Sequence, residues 1–332
     1  MRSRHLAGQS GGAAAWVARR LCWVLLLGLG GCSAQHFRLF NPAGPIAGAE
    51  LRFTIIDVVV MLFIILPTAV MIGLFLWRYR RSRGAVYDGI WSRSIPFEIA
   101  MWGIPLAIVA LLAYFSLQGT FEVNPYGPTA LANRSTTVGR PQALTVDVVA
   151  TDWQWLFVYP KQHIAMVDEL VIPTDRDIAF RLTSTSVVND FYIPQLIGMI
   201  DVMPGMRTKD ITRVTRPGTY EGFSADLSGA GFSWMRFRTH VVSPAAFQKF
   251  VSKVRARHGN LTYARFERLA QPTINLNQKP EYFSAVMPHL FSRIVDAALK
   301  GKTYPTPYGL TEHMARDARK RAPYLEQAAG HI

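Results

Sequence analysis

The chain has 332 residues, of which 50% are hydrophobic and 17% charged, with a formal net charge of +14. That is too apolar for an ordinary soluble protein and too polar for one held wholly within a bilayer. The composition therefore implies membrane-crossing chain joined to a substantial water-facing part. The distribution of the basic excess argues against nucleic acid as a partner. Nine arginines flank apolar runs, and from residue 119 onward 25 Lys and Arg stand against 18 Asp and Glu, with no basic block or aromatic interleaving.

Residues 1–20 read as a basic leader containing Arg2, Arg4, Arg19 and Arg20. The apolar run Leu21–Leu29 that follows is of signal-peptide length, too short for a bilayer core of about 30 Å. It ends in Leu29-Gly30-Gly31-Cys32, which resembles the lipobox of bacterial lipoproteins. The resemblance implies removal of a signal peptide at 1–31 and acylation of Cys32. An uncleaved anchor is the alternative, and it would retain Cys22. Cys22 and Cys32 are the two cysteines, so nothing beyond residue 32 can offer a thiolate to a metal.

Residues 32–120 read as a transmembrane hairpin. Helices are expected at about 54–77, with Asp57 the one charge and a kink at Pro67, and at about 96–117, with Glu98 near the start. The loop at 78–95 carries Arg78, Arg80, Arg81, Arg83 and Arg93. Such a loop stays in the cytoplasm, which places both outer ends of the hairpin in the periplasm and agrees with an exported Cys32. Trp77, Trp91 and Trp102 suit the inner interface. Asp57 reads as a boundary charge in water. Glu98 has two readings, an interfacial carboxylate paired with Arg93 or an acid on a proton path.

The pattern changes from about residue 140. Leu144–Ala150, Asp177–Thr183 and Trp234–Val242 alternate, and Trp153–Tyr159 is aromatic and apolar, with Pro173, Pro204-Gly205 and Pro217-Gly218 between them. Short strands at such intervals predict a β-sandwich or barrel over 121–242. From 243 to 300 the periodicity is helical: Pro244–Val254 behind Ser243 as N-cap, then Leu261–Ala270 and Glu281–Leu299, interrupted by Pro272, Pro280 and Pro288. Short helices of this kind need a surface to lie on, and the expectation is an arm packed on a partner subunit or on the sandwich. Residues 301–332 read as a loose tail.

A hairpin followed by the strand Asp152-Trp153-Gln154-Trp155-Leu156-Phe157-Val158-Tyr159-Pro160 and a sandwich resembles subunit II of the haem–copper respiratory oxidases. The fold this implies is membrane α + β: a two-helix transmembrane hairpin, a cupredoxin-like β-sandwich or barrel, and a short helical C-terminal arm. In the cytochrome c-oxidising members the sandwich holds a dicopper CuA centre, on a loop reading Cys-x-Glu-x-Cys-x-x-x-His-x-x-Met with one further His upstream. Here the matching positions are Ser224, Asp226, Ser228, Phe232 and Met235, and the upstream position is Asn189, in Val188-Asn189-Asp190-Phe191-Tyr192-Ile193-Pro194. A mixed-valence copper pair needs bridging thiolates, which two serines do not supply. Met235 alone survives, and core packing explains it.

Loss of the ligands within a retained frame resembles the quinol-oxidising branch, the cytochrome bo type in particular. The lipobox and the tail around Glu281-Tyr282-Phe283-Ser284 match that branch as well. The resemblance implies a complex that oxidises ubiquinol, reduces oxygen to water and pumps protons across the bacterial inner membrane. Haems, the CuB ion and the quinol site would belong to subunit I, and this chain would bind no cofactor. Its partners would be subunit I, further small membrane subunits and lipid, with no docking of cytochrome c. Glu98-Ile99-Ala100-Met101-Trp102-Gly103-Ile104-Pro105 fits the second-helix motif Glu-x-x-x-Trp-x-x-Pro, whose glutamate lies near the cytoplasmic mouth of the K proton channel. Trp153 and Trp155 read as packing residues, since no copper is there to feed. The rival from another class is a free-standing lipoprotein scaffold, which the spanning hairpin disfavours.

Overall fold

A proline at or near the first position starts each of two long apolar helices, where its fixed φ and missing N–H cost nothing. In the computed structural model, which describes residues 37–80, 84, 94–126, 142–273 and 279–304, these helices are α1 (Pro45–Arg78) and α2 (Ile95–Val123). Both are long and apolar enough to cross a membrane, and both extend beyond the expected 54–77 and 96–117. Each continues through an internal proline, Pro67 or Pro105. They pack as a hairpin: Gly119 leaves room for the Phe53 ring, and Arg52 of α1 pairs with Glu122 of α2 at 2.5 Å. The expected signal peptide at 1–31, Cys22, Cys32, Trp91, the arginines 81, 83 and 93, and most of the expected tail lie outside the described residues. Of residues 1–41, a separate unit, the described part is a 3-10 turn at Arg38–Phe40 with Phe37 edge-on to Phe40.

Among the described residues, the sandwich takes ten strands from 144–242 and an eleventh from the arm. The ten are β1 (Leu144–Ala150), β2 (Trp155–Tyr159), β3 (Ile164–Val167), β4 (Glu169–Pro173), β5 (Asp177–Ser184), β6 (Asn189–Ile193), β7 (Ile197–Val202), β8 (Thr208–Arg213), β9 (Gly218–Ser224) and β10 (Arg236–Val242). The arm adds α3 (Pro244–Arg255), β11 (Asn260–Leu261), α4 (Tyr263–Leu269), β12 (Glu281–Phe283), β13 (Ala285–Val286) and α5 (Leu290–Leu299). One sheet runs β12-β3-β2-β1-β5-β8, the other β4-β10-β9-β6-β7. Their inner faces enclose Trp155, Phe157, Phe180, Phe191 and Phe237, with the last two rings stacked at 5.4 Å. Gly222 lies opposite Phe237 in the β9–β10 register, and a β-carbon there would collide with the ring.

The strand Leu144–Ala150 does not alternate. Every residue in it except Thr145 is buried, because the sheet is covered on both faces. The outer cover is the arm: Phe266, Leu290, Phe291, Ile294 and Val295 pack on Val149, Leu156, Val158, Ala165 and Val167. The arm's apolar face is therefore turned to the chain's own sandwich, the second of the two surfaces expected for it. The expected helix Glu281–Leu299 is also corrected. Its first half forms β12, paired antiparallel with β3, and β13, paired parallel with β11, and only Leu290–Leu299 is helical. Ser243 does cap α3, its hydroxyl accepting from the Ala246 N–H.

Helices also cover the open edges of the sandwich. α3 lies against β3, β4 and β12, while the first turns of α1 lie against β7 and β8, the terminal strands of the two sheets. A bare edge is a template for unwanted pairing, and here the first turns of a long apolar helix mask two of them.

Candidate functional site

Three adjacent strands bring the expected loop together. β9 ends at Ser224, β10 begins one residue after Met235, and β6 begins at Asn189 and pairs with β9 through Phe191 and Ser224. Asn189, Ser224 and Met235 thus converge at one end of the sandwich, all three buried. Their joining is a neutral hydrogen-bond network. The Ser224 hydroxyl lies 3.3 Å from Asn189 Oδ1, to which it donates, and accepts from the Asp190 N–H at 3.4 Å. The Ser224 N–H donates to the Met235 carbonyl at 3.2 Å, and the Asn189 amide donates to the Val187 carbonyl at 3.2 Å.

Two indoles hold the loop from below. Trp155 Nε1 donates to the Met235 carbonyl at 3.3 Å and Trp153 Nε1 to the Ser228 carbonyl at 3.2 Å. Gly229 and Gly231 lie against the Trp153 ring so closely that a side chain on either would meet it, and Gly229 has a φ of +126°. The glycines are therefore required by the indole, and the Asp152-Trp153-Gln154-Trp155 segment anchors both halves of the loop. Sequence reasoning assigned the tryptophans to packing but missed their N–H groups as anchors. The Gly229-Ala230-Gly231 spacing was the available signal. Phe232 opens a 3-10 turn and packs half-buried against the core.

The donor set at these positions is two hydroxyls, an amide, a phenyl ring, a carboxylate and one thioether. It does not fit a dicopper centre, which requires soft anionic bridges. Four histidines lie among the described residues and none is at this loop in the sequence. His240 bonds to Thr219 at the opposite end of the β9–β10 hairpin, and His163, His258 and His289 belong to turns and the arm. Among the described residues no three His, Cys, Asp or Glu side chains gather to hold a metal. The rim is acidic instead. Asp190 faces Asp201 in the β6–β7 register, and its carboxyl is pushed up to about 6, by burial first, then by a hydrogen bond to Asp201 and the charges of Asp201 and Asp226.

Glu98 lies elsewhere, exposed in the first turn of α2, where a carboxylate suits the helix dipole. Cys32 is outside the described residues.

Fold and loop together define the subunit II class of respiratory oxidases. The family model "Cytochrome C oxidase subunit II, periplasmic domain" matches residues 156–242, and "COX Aromatic Rich Motif" matches residues 255–301, the arm. The chain is 37% identical over 279 residues to cytochrome bo(3) ubiquinol oxidase subunit 2 of Pseudomonas aeruginosa, covering 83% of this chain and 80% of that one. It is 39% identical over 269 residues to ubiquinol oxidase subunit 2 of Acetobacter aceti, covering 80% and 83%. Among solved structures, the periplasmic domain of subunit II of cytochrome oxidase (CoxB) of Bradyrhizobium japonicum is 22% identical with a TM-score of 0.33, covering 34% of this chain and 94% of that one. The chain belongs to the ubiquinol oxidase subunit 2 family.

Proposed function

We propose that this chain is the non-redox subunit II of a terminal oxidase that oxidises ubiquinol, reduces oxygen to water and pumps protons. The observation that carries the reading is the serine–asparagine hydrogen bond at the end of the sandwich. Where copper-bearing relatives of the class need thiolate and imidazole, the chain closes its own loop with neutral polar groups. Electrons then enter through subunit I, which holds the haems, the CuB ion and the quinol site. This chain assembles with and caps subunit I at the periplasmic face. Further small subunits and lipid complete its surroundings, and no cytochrome c docks. Glu98, exposed near the Arg-rich loop, serves proton entry to the K channel. Cys32 carries the lipid anchor after removal of residues 1–31, and both outer ends of the hairpin face the periplasm.

The purified complex tests the core of this. It should consume oxygen with reduced ubiquinol and not with reduced cytochrome c, and its haems should co-purify with the chain. Two tightly held copper atoms with a purple chromophore in this subunit would overturn the reading. Glu98→Gln should slow turnover and pumping, and an unchanged enzyme would remove Glu98 from the proton path. Intact mass tests Cys32, since a chain beginning at Met1 without added lipid contradicts the anchor.

A further inference from the structure

The first turns of α1 are as much a part of the sandwich as of the membrane hairpin. Ile46, Ala47 and Ala49 are buried. The chain entering the helix is tied to the sheets by backbone bonds, from the Ala43 N–H to the Gln195 carbonyl at 2.8 Å and from the Thr215 N–H to the Ala43 carbonyl at 3.0 Å. Gly44 allows the approach, since a β-carbon there would run into the Arg213 carbonyl.

Two carboxyl groups enter this joint. Glu50 Oε1 fills the space that a side chain at Gly198 of β7 would occupy. Asp210 of β8 is 7% exposed, sits beside the core residue Phe180 in the sheet register, and accepts a hydrogen bond from the Ile211 N–H at 2.8 Å. The neighbouring cations are engaged elsewhere: Arg213 with Asp177 at 2.6 Å, and Arg52 with Glu122. Among the described residues, no Arg or Lys is ion-paired with Glu50 or Asp210. The remaining ionisable groups of these strands are Asp190 and Tyr192 on β6, exposed Lys209 on β8, and Asp201 at the far end of β7, opposite Asp190. A carboxylate withdrawn from water without a cation takes up a proton instead, and a second carboxylate nearby strengthens the tendency.

We propose that Glu50 and Asp210 form a proton-binding carboxyl pair that makes the attachment of the first membrane helix to the sandwich sensitive to pH. The inference goes beyond the oxidase reading and does not depend on it. With a proton bound, the helix start lies closed over β7 and β8; with both groups ionised, mutual repulsion and the demand for water loosen it. Burial, with Glu50's charge adding to it against the opposing Ile211 amide, raises Asp210 to about 7. Tyr192 is raised as well, by burial and then by the charge of Glu50. An acid raised in the folded state favours the closed joint fully below its ordinary value of 3.8 and loses that contribution as pH rises to its folded value, so the joint is tightest at acid pH and loosens as pH climbs to about 7.

The experiment uses the full chain in detergent micelles. Infrared difference spectra should contain a protonated-carboxyl band that disappears as pH rises through about 7 and that is removed or displaced by both Glu50→Gln and Asp210→Asn. Amide exchange in residues 45–52, corrected for the intrinsic pH dependence, should accelerate about tenfold as pH rises toward about 7 in the wild type and accelerate less in either variant. A band untouched by both substitutions, or the same acceleration in both variants, would overturn the proposal. If Asp210→Asn fails to fold, Glu50→Gln decides alone by the same two readouts.

Discussion

Phe63 and Phe237 mark the contrast between the two main regions of this chain. Phe63, on the first membrane helix, is 74% exposed, whereas Phe237, between the sheets, is 1% exposed. The sandwich satisfies its own apolar side chains, on its inner face with aromatic rings and on its outer face with the arm. The hairpin helices leave many of theirs exposed, Ile65, Leu66 and Leu76 among them, and are long and apolar enough to cross a membrane. One continuous helix, α1, joins this apolar hairpin to the packed sandwich. Phe237→Ala should therefore cost about 3–5 kcal/mol in the unfolding of the sandwich, measured by denaturant titration of the full chain in micelles. Phe63→Ala should leave that transition within about 0.5 kcal/mol. Comparable losses from the two would mean that the sandwich draws stability from the membrane region and would break the contrast.

Glycine sharpens it. Gly231→Ala drives a methyl group into the Trp153 ring, and overpacking of this kind costs about 1–3 kcal/mol. Near-ultraviolet circular dichroism should change with it, because the indole must move. Gly73 of the first membrane helix has nothing within 4 Å of its would-be β-carbon, so Gly73→Ala should be neutral or slightly favourable to the helix. Ser224→Ala should fall lower in the same series, at about 1–2 kcal/mol, since it leaves the buried Asn189 carbonyl oxygen and the Asp190 N–H without their hydroxyl partner.

The sequence spoke clearly where chemistry is local. Two apolar runs long enough to cross a bilayer, the alternation in Asp177–Thr183, and the Ser243 cap are properties of neighbouring residues, and each found its element. The loop was legible for a different reason: Ser224, Ser228 and Phe232 are informative because of which atoms they lack. What the sequence concealed was non-local. Leu144–Ala150 was expected to alternate because nothing within the strand announces that an arm beginning about a hundred residues later will cover its second face. Glu281–Phe283 was read as the start of a helix running to Leu299, yet it pairs with β3, and backbone pairing leaves no period to read. Glu50 and Asp210 carry no shared motif, and their placement depends on the first turns of a long apolar helix lying against the edge strands of the sandwich.

The smallest expected effect concerns a group beside the loop. Asp152 is 4% exposed, its Oδ1 has no hydrogen-bond partner, and burial raises its carboxyl to about 6 despite a hydrogen bond from Ser186. In the unfolded chain the same group titrates near the ordinary aspartate value of 3.8. The folded protein therefore binds this proton more tightly, and the stability it contributes is full below about 4 and is lost as pH rises to about 6. Asp152→Asn should flatten the melting temperature across that window while leaving the hairpin unaffected, since Asp152 belongs to the anchor beneath the loop. Unfolding curves collected on both sides of the window check this. An undiminished pH dependence in the variant would mean that another carboxyl, Asp190 at the loop's rim being the nearest in range, governs the acid response of the sandwich.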